Sequence, residues 1–250
     1  MKILVTAKRV IDPDARIKLT ADQSGVDTDA VEYKVNPFDE NAIEAALELA
    51  DDHDAEVVIV SIGPDDVTQT IRSGLAMGAD RGIRVDYEDN DLDSDLAARI
   101  LVGVCKEEEP DLILLGKQAI DGDNNQVGQL LAEYLSLPQG CFASEIAIKD
   151  EEIVVTREID GGLETIALKL PAVITADLRL NEPRYASLPG IMKAKRKTID
   201  VMDLDDLEIE DTALKVEIVR LEEPATKEAG VLVDDVDGLL DKLSNEARVL

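Results

Sequence analysis

Leu114-Leu115-Gly116-Lys117-Gln118-Ala119-Ile120-Asp121-Gly122-Asp123-Asn124-Asn125-Gln126-Val127-Gly128-Gln129 leaves an apolar run, crosses a polar glycine-containing loop and enters a second periodic segment. A buried strand that feeds a helix in this way presents unpaired helix N–H groups at the strand's C-terminal end, where open α/β sheets bind ligands. Backbone N–H groups with Asn124 and Gln126 suit a phosphate. Asp121 and Asp123 would repel one, so ribose hydroxyls, a base edge or helix capping are their expected roles. A polar turn that only caps the helix stands as the plainer alternative.

Outward from this loop, β-branched runs alternate with helical patterns over the first 140 residues, which predicts parallel strands joined by crossover helices. Strands are expected at Lys2–Ala7, Glu56–Ile62, Gly82–Val85 and Asp111–Leu115, each apolar enough to be covered on both faces. Helices are expected at Asp39–Ala50, Asp65–Met77, Ser94–Glu108 and about Asn125–Leu135. After Pro138 the spacing shortens. Ser144–Ile148, Ile153–Glu158 and Leu163–Leu170 read as an antiparallel insertion over about 144–170, and Ala172–Ala176 as a buried strand returning to the main sheet. From Asn181 the pattern reads as an irregular arm with a terminal helix near Val236–Leu243. The division expected is an α/β domain over 1–200 and an arm over 201–250.

Composition narrows the function. Lys and Arg number 26 against 55 Asp and Glu, a formal charge of −29, which argues against nucleic acid or anionic lipid as partner. So large an acidic excess suits a halophile's cytoplasm, where salt screens self-repulsion. No apolar run approaches the roughly 20 residues of a membrane span. The first residues enter a strand without the pattern of a signal peptide, so a cytoplasmic location is expected. Two cysteines, Cys105 and Cys141, and one histidine, His53, cannot supply a zinc site, a cysteine-ligated cluster or a histidine triad. Nor does the 114–129 segment fit a Walker A loop, because Asp111 stands where its first glycine belongs. An EF-hand beginning at Asp121 fails at Gln126 and Ala132, and the first strand is followed by no G-x-G-x-x-G.

Other segments stand out. Val35-Asn36-Pro37-Phe38-Asp39-Glu40 opens the first long helix, with Asn36 placed to cap it and a hydrophobic staple as the plain reading of Phe38. Arg184-Tyr185-Ala186-Ser187-Leu188-Pro189-Gly190-Ile191-Met192-Lys193-Ala194-Lys195-Arg196-Lys197 carries five bases and no acid. That local reversal of sign should steer an acidic partner, with Leu188, Ile191 and Met192 as apolar anchors. A patch that only balances neighbouring acids is the alternative.

Taken together, these segments resemble the beta subunit of electron-transferring flavoproteins. The resemblance is carried by Gly116–Asp121, by Arg157-Glu158-Ile159-Asp160-Gly161-Gly162-Leu163-Glu164-Thr165, and by Leu170–Val173 with Thr175–Tyr185, in the family's order, and fades beyond about Asp200. It implies a Rossmann-like, adenine-nucleotide-binding sheet with helices on both faces, in a heterodimer whose alpha subunit holds most of the FAD. The beta subunit would bury a structural AMP against Thr6, Asn36, Pro37, Phe38, Asp39, Ile62 and the loop Gly116, Lys117, Gln118, Ala119, Ile120, Asp121, Gly122, Asp123, Asn124, Asn125, Gln126 and Val127. Phe38 and the Asp12–Pro13 turn would lie near the flavin. Arg184, Tyr185, Leu188, Ile191, Met192 and Lys193 would form the docking segment for flavoprotein dehydrogenases such as acyl-CoA dehydrogenases. The resemblance implies electron flow onward to a membrane quinone oxidoreductase, with this chain a carrier subunit and no enzyme. Asp121-Gly122-Asp123 and Val127-Gly128 look like electron-bifurcating relatives that bind a second FAD, whereas Asn124-Asn125 and Gln129 look like the AMP-binding version. A stand-alone adenine-nucleotide sensor would need no basic 184–197 segment.

Overall fold

The computed structural model describes residues 1–28, 31–227 and 229–250. It divides into two compact units, one of Met1–Ile17 with Thr28–Glu217, the other of Lys18–Asp27 with Ile218–Leu250.

In the larger unit, β1 (Lys2–Thr6) lies between β4 (Glu56–Ile62) and β6 (Leu112–Gly116), parallel to both. β5 (Arg81–Val85) flanks β4, and β10 (Ala172–Ala176) flanks β6. The helices are α1 (Pro37–His53), α2 (Thr68–Met77), α3 (Ser94–Glu108) and α4 (Val127–Leu135). A short antiparallel pair, β2 (Arg9–Ile11) with β3 (Tyr33–Val35), stands apart from the large sheet.

Strand alternation sorts the core into two layers. Ile3, Val5, Ile59 and Leu114 pack with Ile43 of α1 and Ile71 of α2. Leu4, Val58, Val60 and Ile113 face the other way, onto Leu101 and Val104 of α3 and Leu131 of α4. Because both faces are covered, these strands show the continuous apolar runs that the sequence displays.

The segment read as an antiparallel insertion is β7 (Gln139–Lys149), β8 (Glu152–Ile159) and β9 (Gly162–Lys169). It extends the main sheet and forms no separate layer. β7 begins before Ser144, and its first residues pair parallel to β10, Val173 opposite Gln139 and Ala176 opposite Ala143. A register shift near Phe142, whose φ is 62°, then releases β7 into its hairpin with β8. The supposedly irregular stretch after Asn181 also contains regular structure, α5 (Leu188–Ala194) and β11 (Ile199–Met202). β11 pairs parallel to β5, closing a nine-stranded order β11-β5-β4-β1-β6-β10-β7-β8-β9.

The smaller unit carries α6 (Val236–Asp241), capped by the Asp235 carboxylate, which accepts from Gly238 N at 2.7 Å. A π-helical stretch, Lys242–Ala247, follows it. Ile218, Val219, Val231 and Leu232 of this unit are exposed.

Candidate nucleotide cleft

The chain runs from β1 to β4 and β5 on one side, then crosses to β6 on the other. That reversal opens a crevice at the C-terminal ends of β1 and β6, the usual ligand position in such sheets. A cleft of about 190 Å³ lies there, bounded by Thr6–Lys8, Leu115–Ala119 and Asp121–Gly128.

Its floor is organised by a buried carboxylate. Asp39, in the first turn of α1, accepts from Lys8 N at 2.8 Å, from Gly116 N at 2.8 Å and from Thr6 Oγ1 at 3.2 Å. It thereby ties the ends of β1 and β6 to one helix. Burial pushes the carboxyl up to about 6, against the pull of the Lys8 and Gly116 N–H groups. Position 116 must be glycine, since a Cβ there would stand 2.7 Å from Asp39 Oδ1 and 2.7 Å from Phe38 Cβ.

Asn36 precedes α1, yet its side chain makes no capping hydrogen bond. Its amide is spent on the loop after β6 instead: Nδ2 donates to Gln118 O at 2.8 Å and Oδ1 accepts from Ile120 N at 3.2 Å. The capping expectation therefore fails for a physical reason, because a distant strand-to-helix loop offers this 1%-exposed amide both a donor and an acceptor.

Cations within the loop are already paired. Lys117 Nζ donates to Asp177 Oδ2 at 2.7 Å and lies 5.3 Å from the Phe38 ring centroid. Lys8 Nζ donates to both Asp121 oxygens at 2.8 Å, and Gln118 Nε2 donates to Asp123 Oδ1 at 2.7 Å. Asp123 and Asn125 adopt left-handed backbone, φ 51° and 50°, which suits short polar side chains. Gln126, at the start of α4, makes no side-chain cap, so the first N–H groups of α4 face the cleft without a side-chain acceptor.

Thr6, Asn36, Asp39, Ile62, Gly116–Ala119 and Asp121–Val127 thus line one cleft, as a set. Pro37, Phe38 and Ile120 stand behind that lining: Phe38 is buried under Lys117, and Ile120 contributes a backbone N–H to Asn36. Sequence reading missed Lys8, Asp89, Leu92, Asp93, Ser94, Ala97 and Leu101, which also line it. A signal existed for some of these. Asp93 before an amphipathic helix reads as a cap, and its carboxylate does accept from Leu96 N at 2.8 Å. Ser61 belongs to the lining too, and its buried Oγ has no hydrogen-bond partner among the described residues.

The 184–193 set divides differently. Tyr185, Leu188, Ile191, Met192 and Lys193 are exposed, Tyr185 at 97% and Leu188 at 79%. Arg184 is exposed as well, but its side chain is engaged within the molecule, its Nε donating to the Glu44 carboxylate at 2.9 Å. Among the described residues no group of His, Cys, Asp and Glu could hold a metal ion, and no helix is long and apolar enough to cross a membrane.

Residues 24–207 match the family described as electron transfer flavoprotein domain. The chain is 52% identical to the electron transfer flavoprotein subunit beta of Bradyrhizobium diazoefficiens, over 100% of both chains. It is 49% identical to the Bos taurus beta subunit over 100% of this chain and 99% of that one. It is likewise 49% identical to the mitochondrial beta subunit of Oryza sativa subsp. japonica over 100% of both. With the family match over residues 24–207 and identity of about half over the full length, the chain belongs to the electron transfer flavoprotein family, among its beta subunits.

Proposed function

We propose that this chain pairs with an alpha subunit to form a carrier that takes electrons from flavoprotein dehydrogenases and delivers them to a membrane quinone oxidoreductase. The FAD shared with the alpha subunit supplies the electron storage, and the beta cleft holds AMP as a structural element. The observation that carries the nucleotide assignment is the cleft's charge economy. Lys8 and Lys117 are neutralised by Asp121 and Asp177, while α4 offers open N–H groups. Such a site suits one phosphate held by backbone donors: among the described residues lining it the only cations, Lys8 and Lys117, are paired, and Arg9 nearby is bound to Asp89, so the further phosphates of ADP or ATP would meet Asp93 and Asp123 without a free cation.

The chain's own residues do the positioning. Asp39 and Asn36 fix the loop on which the nucleotide rests, and the apolar side chains of Leu92, Leu101 and Leu115 suit the faces of a base. The exposed apolar residues of the 218–250 unit support its role as the arm that embraces the alpha subunit.

The test is to co-express the chain with its alpha partner, purify the complex in high salt and quantify the released nucleotides. One FAD and one AMP per heterodimer is the expected result. Two FAD would replace the AMP reading with the bifurcating form, and a chain purifying alone with adenine nucleotide but no flavin would make it a sensor.

A further inference from the structure

The exposed apolar anchors around Leu188 sit on a segment that is fastened at both ends to the helices beneath it. At its entrance, Asn41 of α1 donates from Nδ2 to Asn181 O at 2.8 Å and to Asn181 Oδ1 at 3.0 Å, and Asn181 Nδ2 donates back to Asn41 O at 3.0 Å. One turn on, the Glu44 carboxylate accepts from Arg184 N at 2.9 Å and from Arg184 Nε at 2.9 Å. Asn41 and Glu44 are each only 4% exposed. At its exit, Arg72 of α2 donates to Ala194 O and, at 2.6 Å, to Lys197 O. Lys197 Nζ donates in return to the carbonyls at the end of α2, Gly78 O at 3.0 Å and Ala79 O at 2.5 Å. Between these clamps Gly190 lies so close to α2 that a Cβ would stand 2.5 Å from Ala76 O.

We infer that Glu44 and Asn41 of α1, with Arg72 of α2, are positioning residues that hold the 184–194 segment in its docking shape before a partner arrives. Arg184 and Lys197, two of the bases that the sequence assigns to steering, act within the molecule; Lys193, Lys195 and Arg196 are left for the partner. Buried carboxylates are costly unless paired, so Glu44 carries a built-in penalty for release of Arg184. The gain is preorganisation. Immobilising loop side chains on binding costs about 0.5–1.5 kcal/mol each, and a segment ordered in advance has already met that cost. The same helix that fixes the nucleotide loop through Asn36 and Asp39 fixes the docking segment one and two turns later.

This inference rests on the reading that 184–194 docks dehydrogenases, and the experiment separates the two. In the intact heterodimer, Glu44→Ala, Glu44→Gln, Arg184→Lys and Leu188→Ala are compared by hydrogen exchange over residues 181–195 and by steady-state reduction with a dehydrogenase. Glu44→Ala should speed exchange there and raise the KM for the dehydrogenase by roughly five- to 150-fold, the cost of reordering two side chains. The kcat and the FAD and AMP content should stay unchanged, and Glu44→Gln, which keeps an acceptor for Arg184, should restore most of the loss. If Glu44→Ala does not fold, Arg184→Lys, altered at a part-exposed side chain, must give the same pair of changes. Unchanged exchange, or faster exchange with unchanged KM, overturns the inference. Leu188→Ala with unchanged KM would instead remove the docking reading, whatever the clamps do.

Discussion

The loop after β6 and the 184–194 segment are built in opposite senses. In the loop, polar groups answer one another: the buried Asn36 and Asp39 side chains meet the backbone of Gln118 and Gly116, Lys117 meets Asp177, and at the exposed rim Lys8 meets Asp121. In the 184–194 segment the polar anchors are buried at its roots while Tyr185, Leu188 and Met192 face outward. A site for a small polar ligand needs donors held still in a shielded place, and buried hydrogen-bonded groups provide that. A site for a large partner needs apolar surface to lose on contact, and only rigid support below keeps such side chains from collapsing onto the protein's own surface.

The sharpest way to break this comparison is through Asp39. Its carboxyl is raised to about 6 from an unfolded value of 3.8, so between those limits the folded chain binds more protons than the unfolded one. Stability from this group is therefore fully present below about pH 4 and is lost as pH rises through about 6, a span worth about 3 kcal/mol. Asp39→Asn has no such proton to exchange. Urea unfolding at about pH 4 and about pH 7 should show the wild type gaining on the variant by that amount at the acid end. Parallel behaviour would mean that the carboxylate is better solvated than its burial indicates. A smaller effect is expected at Gly116→Ala, where the new Cβ would press on Asp39 and Phe38; about 1–3 kcal/mol of stability should be lost, together with bound nucleotide. Retention of nucleotide by that variant would show that the loop can shift without loss of function. The smallest change in stability belongs to Leu188→Ala, within about 0.5 kcal/mol because the side chain is already exposed. Its effect should fall on electron acceptance from a dehydrogenase alone, so a clear drop in unfolding midpoint would place Leu188 in the fold and not at a partner.

Local pattern carried much of this far. Ser94–Glu108 and Ala172–Ala176 are where the periodicity puts them, because each depends on apolar spacing and on caps lying within a few residues. β7 and β11 were misjudged for the opposite reason. Gln139–Ala143 is a strand because β10 offers it a parallel edge, and Ile199–Met202 because β5 does, and neither neighbour is near in sequence. The site shows the same division. Gly116 through Val127 was visible as a strand-to-helix loop, whereas Leu101 reaches the cleft because α3 packs on that face of the sheet, and Asp89 and Leu92 because they lie on the segment leading into α3.

By itself, then, the sequence determined the two-faced parallel sheet, the strand-to-helix loop and the family, since hydrophobic period, turn residues and motif order are all local properties. Tertiary structure alone decided the partners of the polar groups. Asn36 could have capped its own helix and Arg184 could have been left unpaired; the first choice was made by the backbone of Gln118 and Ile120 and the second by the Glu44 carboxylate, each more than 80 residues away in the chain and brought close only when the sheet assembled.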